Sequence, residues 1–388
     1  MALQPYKGAN TAQFYVLETT PGTTPTSPSW SPLRNTGGIP AVTRDALVSN
    51  ELDGSRETSS IRTGNKQVAG EYAIELSQQS QDELLAGAMS SAWVPGATIS
   101  GASITVDPLT KTFTRAAGNF ITDGVEVGDL IHFDGLNTAN QIPFIVTSVN
   151  DTVVAGAGIQ STLVAETAMT DGKTGDKLET GNLCKTYSIL TWLKGKCGGA
   201  DSYIVTRGVE FSGFTIEQAV NAMVTGSFPF IGLNQEILTG PPAGSTFTVT
   251  FDAHPFSSVD VAAFDGSAPL KLIDTFTITN DNSASAQFEL GNSSVAFVER
   301  GRAANTFSLA GKLYDLTLLN KFLNETQVEL TSILSGTKGA MSFALKRAEL
   351  TAATPEIGGP ESVTLSIEGQ ATGNAFQSSI VIQRIVYA

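Results

Sequence analysis

Along much of the chain, apolar residues recur at every second position. Residues 246–251 (TFTVTF), 276–279 (FTIT), 362–367 (SVTLSI) and 380–386 (IVIQRIV) all show it. A period of two puts alternate side chains on opposite faces of a pleated strand, so each segment can bury one face and solvate the other. The Thr and Val that fill these runs are β-branched and fit the pleat. Turn-forming residues, 38 Gly and 16 Pro, punctuate them. The chain is therefore expected to be mainly β.

Two short segments follow a helical period instead. The first begins at Ser80, with Glu83 three residues on, the pattern of a capping box; Leu84, Leu85, Ala88 and Ala92 then form one stripe. The second follows Asp315 and places Leu316, Leu319, Phe322 and Leu323 on one face. Each helix comes after a strand-like run, and this shared setting exposes an internal repeat. Tyr72, Ile74 and Leu84 lie 235 residues before Phe307, Leu309 and Leu319. Residues 42–45 resemble 278–281 at an offset of 236, and Leu52 matches Phe288. Further on the offset drops: residues 209–211 resemble 348–350, and 227–232 resemble 364–369, at 137 to 139. The drop requires an insertion of roughly 97 residues in the first copy, between residue 93 and about residue 190.

That interval contains four strand-like runs, at 112–114, 130–133, 144–147 and 152–154, separated by turn pairs such as Gly118-Asn119 and Asp134-Gly135. Such spacing suggests a small β-barrel or sandwich. Pro95-Gly96 marks its entry, and residues 171–175 (DGKTG), read as a loop, its exit. At roughly 100–200 residues per domain, 388 residues suit two or three domains. The division expected is 1–96 with 186–240 as one unit, 97–185 as the insert, and 241–388 as the second unit.

Charged residues make up 15% of the chain, against roughly 25% in an average domain. Thr, Ser, Gly and Asn replace them. Hydroxyls cost less to desolvate than charges, which suits extended subunit contacts. The net charge of −14 argues against tight nucleic-acid binding, which needs clustered cations. It allows a surface past which DNA slides. The opening residues MALQPYKGAN lack the apolar core of a signal peptide, and no run approaches the length of a membrane helix. Cys184 and Cys197, 13 apart with no His between them, do not make a zinc site and are expected as free thiols.

Catalytic patterns fail one by one. His132 and His254 are isolated on strands. Residues 168–173 (AMTDGK) lack the first Gly of a phosphate loop, and GVEFSG at 208–213 breaks the dinucleotide pattern. No Ser sits in a nucleophile elbow. Carboxylate pairs such as Asp82-Glu83 and Asp252 near Asp265 exist, but adjacent acids at a helix start are explained by the helix dipole. Asp123, Glu126 and Asp129 could hold calcium but lack the hand-loop spacing, so a solvated turn is the preferred reading. A carbohydrate-active site would need paired acids beside aromatic walls; Trp30, Trp93 and Trp192 neighbour no acid pair in sequence. No enzyme, metal or cofactor is expected.

Four features together give the chain a family resemblance: the Arg- and Ser-rich segment 45–66 leading to the strand at 68–76; the short helix after it; residues 206–216 (TRGVEFSGFTI) through 230–232; and residues 123–129 (DGVEVGD) in the insert. The chain resembles the major tail tube proteins of long-tailed, non-contractile (siphovirus-type) bacteriophages, in the variant with two tail-tube domains per subunit. The resemblance implies two tandem tail-tube-like β-sandwich or barrel domains, each with one short helix, and a β-barrel module inserted in the first. It implies a non-enzymatic virion protein assembled in the host cytoplasm. Three subunits would form a pseudo-hexameric ring, and stacked rings a tube for DNA ejection. Partners would be copies of itself and the tape measure, tail terminator and distal tail proteins. DNA would pass through the lumen without sequence-specific binding, and no membrane is involved. The polar loop 45–66, with Asp45, Arg56, Arg62 and Lys66, would reach the adjacent ring, as would 281–298 in the second copy. The lumen would be acidic and the insert would sit on the outer wall. The competing reading is a tandem β-domain receptor-binding, baseplate or capsid decoration protein.

Overall fold

The computed structural model describes residues 6–52, 54, 56–158, 163–195, 199–248, 254–374 and 376–387. The alternating runs become strands. The first part of the chain carries β1 (Thr11–Leu17), β2 (Ser29–Pro32), β3 (Ala41–Val48), β4 (Ile61–Glu75) and helix α1 (Asp82–Ala88). Six strands then close a barrel: β5 (Thr98–Asp107), β6 (Thr112–Arg115), β7 (Leu130–Asp134), β8 (Phe144–Val149), β9 (Val153–Ala157) and β10 (Glu166–Thr174). After it come β11 (Asp176–Glu179), β12 (Tyr187–Leu193), β13 (Ser202–Phe211), β14 (Gly213–Ala219), β15 (Thr225–Gly232) and β16 (Asn234–Leu238). The second part runs β17 (Thr246–Phe247), β18 (Val261–Asp265), β19 (Ala268–Pro269), β20 (Ile273–Asp281), β21 (Ser285–Phe288), β22 (Val295–Glu299) and β23 (Ala304–Lys312). It ends with α2 (Thr317–Leu323), β24 (Val328–Ser335), β25 (Gly339–Glu356), β26 (Thr364–Ala371) and β27 (Ile380–Val386). The protein is mainly β; its described residues form two short helices, large sheets and one closed barrel. The strand expected at 246–251 is seen only as Thr246–Phe247; its end, like Asp252 and Cys197, lies outside the described residues.

Strand pairing follows one scheme in both parts. β1 pairs β2 and β12, as β18 pairs β19 and β24. β3 pairs β4 and β4 pairs β15, as β20 pairs β23 and β23 pairs β26. β12 pairs β13 and β13 pairs β16, as β24 pairs β25 and β25 pairs β27. Finally β14 pairs β15, as the second half of β25 pairs β26. Residue by residue, however, the sequence matches are slipped. Tyr72 faces Phe228, whereas Phe307, matched to Tyr72, faces Gly369 and not Leu365. The ladders align if each of those two matches moves by two residues. A slip of two keeps every side chain on its face, so an alternation pattern cannot detect it.

The barrel has its own core of Phe113, Phe120, Phe133, Phe144, Ile104 and Val146. Its ends meet: the Thr174 N–H donates to the Ala97 carbonyl at 2.9 Å. Although it grows out of the first part, it packs on the second. Leu130, Ile145 and Ala157 meet Phe264, Ile333, Ala340 and Ile385. On β24 and β27 the opposite faces, through Leu330, Leu334, Ile380 and Ile382, enter the main core. The barrel is thus the outermost layer on that sheet. Gln383 ties it down, accepting from Leu130 N–H at 2.8 Å and donating to the Gly128 carbonyl at 2.7 Å. Residues 171–174, read as a loop, are the end of β10; Gly172 is there because a Cβ would lie 2.6 Å from the Phe133 ring.

The helices are shorter than the pattern suggested. α1 starts at Asp82 with Gln81 as its N-cap and no side-chain cap bond, so the expected Ser80 capping box does not form. The Ser80 hydroxyl instead donates to the Gln78 carbonyl at 3.5 Å.

Candidate assembly surface

One continuous sheet runs β3-β4-β15-β14-β20-β23-β26-β25, its middle seam being the β14–β20 ladder between the two parts of the chain. Its two faces differ sharply. Ile74, Ile216, Ile278 and Phe307 lie in one row across the sheet and are buried in the main core. One residue along, a second row reads Glu75, Thr225, Glu217, Thr277, Ser308, Glu368 and Ala352. This face is solvated. Glu71, Asp281 and Glu356 share its parity, and Lys312 is a cation on it. An acidic, hydroxyl-rich face without cation clusters repels polyphosphate.

The sheet ends in two open edges. Among the described residues β3 pairs β4 alone, and all eight of its residues are exposed. Among the described residues the second half of β25 likewise pairs β26 alone. Val42 sits on the core face beside the fully buried Val68, yet is 40% exposed. At the seam, Asn280 holds the ladder position corresponding to Val42 and is buried, donating to Asn305 at 2.8 Å. Unpaired strand edges are templates for further strands.

Segment 45–66 is not a loop. Asp45 is the bulged residue of β3, between the pairs Arg44–Lys66 and Ala46–Thr63, and Arg62 pairs Leu47 on β4. Arg56 lies in the exposed tip. The segment is therefore a two-stranded arm with neither face covered, which leaves Leu47, Val48 and Ile61 exposed. Lys66 is at its base, donating through Nζ to Asn234 Oδ1 at 2.7 Å and through its backbone N–H to the Ser293 carbonyl at 2.6 Å. The structure brings Asp45 and Lys66 near one another and leaves Arg56 apart. Residues 281–298 likewise contain a hairpin, β21–β22. In the 45–66 arm Val48 and Ile61 share one face and Leu47 lies on the other, so no period of two marks it.

Ionic contacts secure the seam. Arg300 pairs with Glu210 at 2.7 Å, and Arg384 pairs with Asp82 while its Nε meets Asp176 at 3.3 Å. Burial pushes the Glu210 and Asp82 carboxyls above their ordinary range, against the pull of their arginines. Trp93, expected to neighbour no acid pair, stacks on Arg384 at 4.3 Å and donates to the Asp82 carbonyl at 3.0 Å. These acids are committed to Arg384. Asp123 pairs with Arg115 at 2.5 Å and Asp129 with Lys177 at 2.6 Å, so the turn considered for calcium is neutralised by cations. Among the described residues no group of three metal-ligating side chains exists, and no helix is long and apolar enough to cross a membrane. His132 is buried and stacks on Tyr387 at 4.1 Å, which ties barrel to β27 end; burial lowers its pKa. Cys184 is a free, exposed thiol.

The fold and its open-edged sheet define a structural β protein with the features of a self-associating subunit. The family profile described as phage tail tube protein matches residues 8–371, and the chain belongs to that family. It is therefore a structural protein of the phage tail, a virion component and not an enzyme. The receptor-binding or decoration reading is not favoured by this match. A search of curated proteins found no match.

Proposed function

We propose that the chain carries two tail-tube units in tandem, residues 1–96 with 186–240 and residues 241–388, and that 97–185 is an insert in the first. Three chains close a pseudo-sixfold ring, and rings stack into the tube of a siphovirus-type tail. The acidic face lines the lumen, through which DNA is ejected. The arm bearing Asp45, Arg56, Arg62 and Lys66 contacts the adjacent ring. Tape measure, tail terminator and distal tail proteins bind the finished tube, which is assembled in the host cytoplasm. The barrel faces outward, because it packs on the side of its sheet away from the main core.

One observation carries this reading: β14 joins β20 edge to edge within the chain, while β3 and the end of β25 are left open. Carrying the β14–β20 register to those edges sets Thr354 of one subunit opposite Ala41 of the next. Their counterparts at the seam, Thr215 and Thr279, have hydroxyls 3.3 Å apart. Directly opposed residues are close enough for a disulfide. In a Cys184→Ser, Cys197→Ser background, Thr354→Cys with Ala41→Cys should give covalent oligomers that stop at three chains, with tubes visible by electron microscopy. Monomeric protein with no cross-links, or a ladder stopping elsewhere, refutes the ring.

A further inference from the structure

Residues 255–264 read PFSSVDVAAF and residues 5–14 read PYKGANTAQF. Each segment contains one short 3-10 turn, Ser258–Asp260 or Gly8–Asn10. Asp260 N–H donates to Ser257 at 3.0 Å and Asn10 N–H to Lys7 at 2.9 Å, both to carbonyls. Each then enters a strand at the same ladder position, Val261 opposite Leu334 and Thr11 opposite Leu193.

The later segment is seated. Phe256 is 2% exposed; its N–H donates to the Leu76 carbonyl, and its carbonyl accepts from Val224 N–H, both at 2.8 Å. Ser257 bridges Met223, and Ser258 N–H donates to the Ala222 carbonyl at 2.9 Å. A short strand is thereby added between the end of β4 and the start of β15, burying Leu76 and Val224.

The second part has the same groove, with no occupant among the described residues. Leu313 N–H donates to the Val363 carbonyl at 2.9 Å, as Leu76 N–H does to Val224 at 2.8 Å. The Leu313 carbonyl and Val363 N–H have no partner among the described residues, and both residues are only half-buried. Beside them Leu309, Leu313, Leu318 and Leu365 line a cavity of about 120 Å³. Meanwhile Tyr6 is half exposed, its hydroxyl resting on Ser202 at 2.8 Å.

Resting on the ring reading, we propose that residues 6–8 of one subunit fill this groove in its neighbour. Tyr6 N–H donates to the Leu313 carbonyl, its carbonyl accepts from Val363 N–H, and its ring lies over the leucine-lined cavity. Each seam between chains then has the added strand that Phe256 supplies within the chain, and an unpaired donor and acceptor are satisfied.

The test uses the full chain in the Cys184→Ser, Cys197→Ser background. Ser257→Cys with Met223→Cys checks the template by forming a disulfide within one chain. Lys7→Cys with Ser362→Cys should link different chains. Tyr6→Phe should assemble normally, whereas Tyr6→Ala should melt like the parent and lose its tubes. Tubes that form, with the Thr354–Ala41 cross-link but no Lys7–Ser362 cross-link, overturn this proposal and leave the ring standing. A Lys7–Ser362 link within a single chain also overturns it. Absence of tubes and of both intermolecular links overturns the ring reading, and the proposal with it.

Discussion

Helices α1 and α2 occupy the same place in the two pairing schemes, yet α1 buries six of its seven residues and α2 none. Propensity does not explain this, since α2 carries the larger apolar stripe. Cover does. The second part of the chain lies over α1: Asn282 donates to the Ala88 carbonyl, Arg300 to Ser90 and Arg384 to Asp82. Among the described residues no following unit covers α2 in that way, and Leu316 at its N-cap and Leu323 stay exposed. A side chain's burial here depends less on its own element than on whether a following unit is present.

The comparison can be broken most directly at the helices. Leu84→Ala removes a fully buried side chain and should cost about 2–5 kcal/mol in a urea melt of the isolated subunit. Its counterpart Leu319→Ala should cost about 1 kcal/mol or less there, and should reduce tube yield. Equal losses in the subunit would mean that α2 is already covered. At the sheet, Ile278→Asp places a charge in the main core and should abolish folding, read by circular dichroism. Val42→Asp on the open edge should leave the melt within about 0.5 kcal/mol while preventing rings, read by sedimentation.

Next in size is deletion of residues 98–174, whose flanks already meet. It bares Phe264, Ile333, Ala340 and Ile385, so the melting temperature should fall while tubes still form. Loss of all assembly would place the barrel inside the subunit contacts. The smallest effect concerns Glu210. Its folded pKa is raised above the ordinary 4.5, so its contribution to stability is greatest below that value and fades as pH rises through the shifted pKa. The melting temperature of the parent minus that of Glu210→Gln should therefore fall between about pH 4 and about pH 7. A rise would mean that the ion pair with Arg300 outweighs burial.

Where one strand face is buried, the architecture was legible in the residues. Residues 276–279 and 364–367 lie within strands whose burial alternates, β20 and β26. β5 was missed because a bulge resets its alternation: Ile99 faces the core, Gly101 takes φ +56°, and Ala102, Ile104 and Val106 resume in the other phase. β10 was hidden by a glycine serving close packing, which in sequence resembles a turn. The arm at 45–66 could not be read because its apolar residues, Leu47, Val48 and Ile61, are exposed and divided between both faces. The acidic face needed the ladder registers, since Glu75, Glu217 and Glu368 are scattered in sequence and meet only across strands.

The barrel is rooted in one half and seated on the other, so the two halves cannot rock against each other without peeling it away. In a tube of such chains, stiffness would then alternate around the circumference, with rigid joints inside each molecule and more compliant ones between molecules. Curvature in the tail would be taken up at the compliant joints, where one chain gives way to the next.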